Sequence, residues 1–185
     1  MKSVAFILLL LGTPALGQGE KPPRPGTPAI VSGSSKQTFK HKEKIDLSYD
    51  RFKDVTTLQL HYMEVGEGVY LGAFVSSKGH GVPSTDAPIL LAFSLQNEKW
   101  HCLEGCNVIF MINGERLKRE PAENLSREIG GPYGVTERIG ILVTYDTLKT
   151  IAYGNVVEFQ AGSDEAQLKG NHLLALRDFL SRIRQ

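Results

Sequence analysis

The chain is 185 residues long, with 41% hydrophobic, 22% charged and 8% aromatic side chains. That suits one well-buried domain and excludes a disordered or fibrous class. The formal net charge is +1, and with Lys2 set aside the acidic and basic side chains balance, which makes the chain a poor candidate for general nucleic-acid binding.

Residues 1–17 read as a targeting segment. Lys2 supplies the positive end, Val4 to Leu11 the apolar core, and Ala15-Leu16-Gly17 a small-x-small cleavage site before Gln18. The apolar run is about half what a bilayer crossing needs, and Gly12, Thr13 and Pro14 end it. The expectation is an exported chain, secreted or periplasmic, with no transmembrane segment once the leader is removed. Residues 18–38, rich in Pro, Gly and Ser, read as a linker with little to bury. A single globular domain is expected over 39–185. The stretch Gln18 to Lys53 holds 8 basic against 4 acidic residues, and Asp54 onward 12 against 16. Its FKHKEK block (Phe39 to Lys44) reads as a lysine-rich lead-in or edge, because edge lysines discourage sheet-to-sheet pairing. The other reading is a basic arm that touches an anionic lipid or polysaccharide surface.

Period-two alternation then dominates. Ile45, Leu47 and Tyr49 form one strand, and Asp50 to Asp54 a polar turn. Leu58, Leu60 and Tyr62 face one way while Gln59 and His61 face the other. Val69 to Val75 repeats the pattern after a turn at Val65 to Gly68. Ser76 to Pro88 (SSKGHGVPSTDAP) is a loop rich in breakers. Ile89 to Leu95 is apolar enough to be buried on both faces. From Trp100 to Leu117 (WHCLEGCNVIFMINGERL) we expect a two-turn meander, pinned at Cys102 and Cys106 and turned again at Asn113-Gly114, a type I′ pair. Asn124 to Gly134 is a second long loop, with Asn124-Leu125-Ser126 formally a glycosylation acceptor. Arg138 to Val143 is a strand. Leu148, Ile151 and Ala152 then signal a short helix over 145–153, capped by Thr144 or Asp146. Val156 to Ala161 and Ala166 to Leu168 form a hairpin. Leu173, Leu176, Leu180 and Ile183 give an amphipathic helix over 171–184, its late arginines suited to the negative helix end.

The C-terminal succession VTYDTLKTIAYGNVVEFQAG…LLALRDFLSRI is similar to the closing segment of small exported bacterial domains that remain uncharacterised. The resemblance covers about 45 residues. It implies a bacterial origin and a non-catalytic domain, and brings no known activity.

The chemistry is sparse. In an exported protein the pair Cys102 and Cys106 reads first as a structural disulfide. A redox thiol pair would want Cys-x-x-Cys at a helix start, and zinc would want two further ligands, so both are lesser readings. The histidines lack His-x-His or HExxH spacing. His61 and His101 read as partly exposed sheet residues. His80 sits in the glycine-rich KGHG, where a binding residue is well placed. The carboxylate pairs Glu64 with Glu67 and Asp164 with Glu165 read as solvated. No Gly-x-Ser-x-Gly, Ser-x-x-Lys or phosphate loop is present. The expected fold is α+β, mainly antiparallel β, as a sandwich or half-barrel closed by the two helices. The expected function is a non-enzymatic binding module for an unknown protein or envelope component. We assign it no catalytic residue, metal or cofactor, and its candidate binding residues are His80 and Asp86 on one loop and Tyr133 on the other. A small envelope hydrolase or thiol-redox accessory, using His80 or the cysteines, is the alternative.

Overall fold

Alternating apolar and polar side chains build ten strands, and two stretches of helical period close them. The computed structural model describes residues 39–117, 119–130 and 134–185. The segments expected to be a leader (1–17) and a linker (18–38), and Tyr133, lie outside the described residues. The strands are β1 (Ile45–Asp50), β2 (Val55–Gly66), β3 (Val69–Lys78), β4 (Ile89–Asn97), β5 (Cys106–Ile112), β6 (Glu115–Arg116), β7 (Glu120–Ile129), β8 (Val135–Val143), β9 (Val157–Ala161) and β10 (Asp164–Leu168). The helices are α1 (Tyr145–Tyr153) and α2 (Gly170–Ser181). The sheet runs β1-β2-β3-β4-β8-β7-β5-β9-β10, with β6 paired to β5. Every pairing between these strands is antiparallel. The fold is α+β, mainly antiparallel β, in an open sheet and not a closed barrel.

Strand β7 is the corner of this sheet. Residues 120–122 pair with β5, and from Glu123 onward the strand pairs with β8. The β5–β9–β10 part thereby turns over the inner face of β4, where Phe93 meets Phe110 and Phe159. Strand β4 is buried on both faces, as its composition suggests: Leu91, Ala92, Phe93, Ser94 and Leu95 are all buried.

The helices complete the core. Thr144 caps α1 by accepting the Thr147 N–H at 3.1 Å, and Leu148, Ile151 and Ala152 form its buried face. In α2 the buried stripe is Leu173, Leu176, Phe179 and Leu180, packed toward β2 and α1. His172 is buried at the start of α2, where its Nδ1 accepts the Lys169 N–H at 3.1 Å. Burial holds that imidazole below its ordinary pKa. The helix stops at Ser181, short of the expected 184, and Arg182 turns back onto Asp178 at 3.1 and 2.9 Å. Asp178 also meets His41 at 3.0 Å, tying the lysine-rich lead-in to the helix. Burial pushes the Asp178 carboxyl up, and Arg182 and His41 outweigh it to hold the group below the usual range.

Three local expectations are corrected. The Trp100 to Leu117 stretch is not a two-turn meander. Asn113 and Gly114 do take positive φ (52° and 84°), but the hairpin they close has only two register pairs, and β5 finds its main partners in β9 and β7. The supposed loop from Asn124 is strand β7 as far as Ile129, exposed enough to lack an apolar signature. Tyr62 does not share the face of Leu60, because a bulge between Leu60 and Met63 turns both His61 and Tyr62 outward.

Candidate functional site

The two ends of the sheet carry different chemistry. At the end where β4 begins, the β1–β2 turn is locked by its own aspartates. Asp50 Oδ1 accepts the Phe52 N–H at 2.9 Å and the Lys53 N–H at 3.3 Å. Asp54 sits at φ 52°, and its Oδ1 accepts the Tyr49 hydroxyl at 2.8 Å. That bond raises the Tyr49 pKa above its ordinary value. The turn is also tied to the loop after β3. Gly79 N–H donates to Asp54 O at 2.7 Å, and Thr56 Oγ1 donates to Gly79 O at 2.7 Å. The His80 ring stacks on Tyr49 with centroids 3.6 Å apart. Phe52 stands 87% exposed on this fixed backbone, with the Arg51 guanidinium 4.7 Å above its ring. Arg51 and Lys53 flank it in the chain and are exposed, Lys53 with its Nζ 3.9 Å from Asp50, and the exposed Lys78 pairs with Val55 just after the turn. Phe52 was not singled out from sequence. Its signal is an apolar ring between two cations in a turn that has nothing to bury.

Of the expected binding residues, His80 and Asp86 are described. His80 belongs to the tip just described. Asp86 lines a separate cleft of about 360 Å³ with Thr85, Thr144, Asp146 and Lys149, at the start of α1. Strand β8 starts at Val135, which pairs with Asn97 at the far end of β4. Strand β4 is about 30 Å long, so Val135 lies at the opposite end of the sheet from His80, and Tyr133 is outside the described residues.

The far end holds the cysteine turn. Cys102 and Cys106 are disulfide-bonded with Cα atoms 5.0 Å apart, and Cys102 is buried. Glu137, fully buried, accepts the His101 N–H at 2.7 Å and the Cys102 N–H at 3.0 Å. Arg127 donates to the Cys102 and Leu103 carbonyls at 2.9 and 3.1 Å. This clamp also escaped the sequence reading. The disulfide closes a five-residue loop, for which chain entropy gives about 2 kcal/mol. The double change Cys102→Ser, Cys106→Ser should therefore cost about 2 kcal/mol in urea unfolding, and the chain should still fold.

His101 is partly exposed, as expected, but it does not sit in the sheet. It lies in the turn, where its Nδ1 is 2.7 Å from Ser163 Oγ and 3.3 Å from Asp164 Oδ2. Asp164, half-buried, also accepts from Asn97 at 3.1 Å, which corrects its reading as a free carboxylate. Serine, histidine and aspartate so grouped invite comparison with a nucleophilic triad. In a triad the serine and the carboxylate use opposite ring nitrogens: Nε2 takes the serine proton while the carboxylate holds the Nδ1–H and orients the ring. Here both contact Nδ1, and the arrangement anchors the β9–β10 turn to the cysteine turn. His61, on the outer sheet face, pairs with Asp46 at 2.9 Å. Hydrogen bonds from Lys44 and then His61 hold the Asp46 carboxyl below its ordinary pKa.

Among the described residues, no group of three or more His, Cys, Asp or Glu side chains is placed to hold a metal, and no helix is long and apolar enough to cross a membrane. Compared with protein-family models, with curated proteins and with solved structures, the chain matches none.

Proposed function

We propose that this chain is an exported, non-enzymatic binding module, of the kind its C-terminal segment resembles, working at or outside the cell envelope. Its contact point is the tip formed by the 50–54 turn and the loop through His80. The observation that carries this reading is Phe52, 87% exposed on a turn whose backbone is fixed by Asp50 and Asp54. A fixed apolar prong among cations fits an anionic lipid surface, where the ring enters the headgroup boundary and the cations meet phosphate. Sugar recognition fits less well, because stacking needs an open ring face. Arg51 covers one face of Phe52, and His80 covers one face of Tyr49.

Vesicle flotation tests the reading, with the chain beginning at Gln18. It should bind phosphatidylglycerol vesicles, release them as salt rises, and ignore phosphatidylcholine vesicles. Phe52→Ser should abolish binding, and Arg51→Ser with Lys53→Ser should weaken it, all without lowering the Tm. Retention of Phe52→Ser on anionic vesicles, or no retention of the unaltered chain, would sink the lipid reading.

A further inference from the structure

The outward face of β2, β3, β4, β8 and β7 has a pattern that the tip does not explain. Gly72, Ala92 and Gly140 lie in register across β3, β4 and β8. The adjoining row toward the tip is Phe74, Leu90 and Leu142, and the row on the other side is Tyr70, Ser94 and Arg138. Each flanking strand carries a bulge at the level of the glycines. In β2 it turns Tyr62 outward, and in β7 it turns Leu125 outward. A Cβ on Gly72 would lie 3.4 Å from Tyr62 Cδ1, and one on Gly140 would lie 3.1 Å from Leu125 Cδ1. The face is thus nearly symmetric about β4, with a glycine under a large side chain on either side. Ala92 and Ser94 at its centre are buried, and its larger flanking side chains are open: Leu142 is 59% exposed, Leu125 43% and Tyr62 37%. Contiguous apolar surface of this kind marks an interaction site.

We infer that this face binds a second copy of the same chain, about a two-fold axis that lies in the interface parallel to β4. Such a rotation sets β2 over the partner's β7, and β3 over the partner's β8. Tyr62 then meets the partner's Leu125, Phe74 meets the partner's Leu142, and Gly72 faces the partner's Gly140. Leu90, nearest the axis, meets its own copy. Arg138, bonded within its own chain to Glu128 and Ser126, falls over the partner's Tyr70, whose register neighbour is the partner's Glu64. Every contact off the axis occurs twice, as an isologous interface requires. Sheets stacked this way keep their strands within about 30° of each other. Five strands at about 4.8 Å spacing span about 24 Å, the scale of interfaces that bury about 800 Å² per partner. An axis parallel to the strands leaves strand direction unchanged, so both tips point the same way. A dimer would present two Phe52 prongs to one surface and gain avidity. The inference rests on the sheet face alone and stands whether or not the tip binds lipid.

Sedimentation equilibrium on the chain beginning at Gln18 should give a dimer. Leu142→Glu should raise its Kd at least about 30-fold, as loss of an interface contact does, with the monomer's circular dichroism unchanged because Leu142 is 59% exposed. Leu90→Cys should cross-link to itself with a short bis-maleimide. Leu142→Cys should cross-link well only when mixed with Phe74→Cys, which reports the axis. A chain that stays monomeric across the micromolar range overturns the inference, and so does a dimer indifferent to Leu142→Glu. So does a monomer that dimerises only after residues 18–38 are removed, because that segment would then be the occupant of the face.

Discussion

Replacing Glu137 with leucine should destabilise the protein by about 3–5 kcal/mol, the loss expected when one partner of a buried charged network is removed. The carboxylate is fully buried and accepts the backbone N–H groups of His101 and Cys102. Leucine fills the space but leaves both donors unpaired, and Arg127 loses the carboxylate 4.0 Å from its Nε. An unsatisfied buried donor costs about 1–3 kcal/mol, so the two together account for most of the effect. This exceeds the about 2 kcal/mol of the disulfide. The covalent bond shortens the turn, and Glu137 with Arg127 fastens it to the sheet. Glu137→Gln keeps one acceptor and should cost less. In a double-mutant cycle, Arg127→Ala added to Glu137→Leu should cost less than the sum of the two, since they act on one turn. Equal unfolding midpoints for Glu137→Leu and the unaltered chain would show that the turn holds itself.

What could be read in the sequence, and what could not, follows the range of the forces involved. Helix α1 was legible to the residue, because its cap, its buried face and its terminating glycine are all local. The class of fold was legible from period-two alternation. The order of strands was not, since β4 pairs with β8 across a stretch that reads as consecutive hairpins. Strand β7 was missed because its apolar residues are few and do not alternate, and it is held by backbone pairing with β8 and β5. Tyr62 was put on the wrong face because one bulge reverses the phase of everything after it. Glu137 left a trace that went unread. It shares the phase of Val135, Ile139, Ile141 and Val143, all buried, and a charge in the buried phase of a strand needs partners. Its partners are backbone groups of a distant turn, invisible to any pattern in the side chains. Phe52 shows the converse, an apolar ring where the pattern calls for polar residues.

Phe93→Ala should cost about 3–5 kcal/mol, the range for truncating a buried phenylalanine. Phe93 is fully buried at the middle of β4, in register with Leu71 on one side and Ile139 on the other. Its ring lies 5.1 Å from Phe159 and 6.4 Å from Phe110, which are 5.7 Å from each other. Removing it leaves a void that its neighbours fill only by moving, and it loses both ring contacts. The position matters as much as the volume. Among the described residues, backbone pairing joins the β5–β9–β10 part to the rest of the sheet only through β7, where three register pairs connect β5 and β7. The phenylalanine cluster packs that part against β4, beside the Asn97–Asp164 hydrogen bond. Loss of Phe93 should therefore loosen the protein unevenly. Amide exchange should rise more in β5 and β9 than in β2 and β3, which are paired along most of their length. Phe93→Leu, which keeps most of the apolar volume, should lose less stability and keep the exchange pattern closer to the original. A uniform rise in exchange after Phe93→Ala would mean that the two parts of the sheet unfold as one unit. In that case the corner at β7 transmits cooperativity, and the cluster supplies stability without deciding which part opens first.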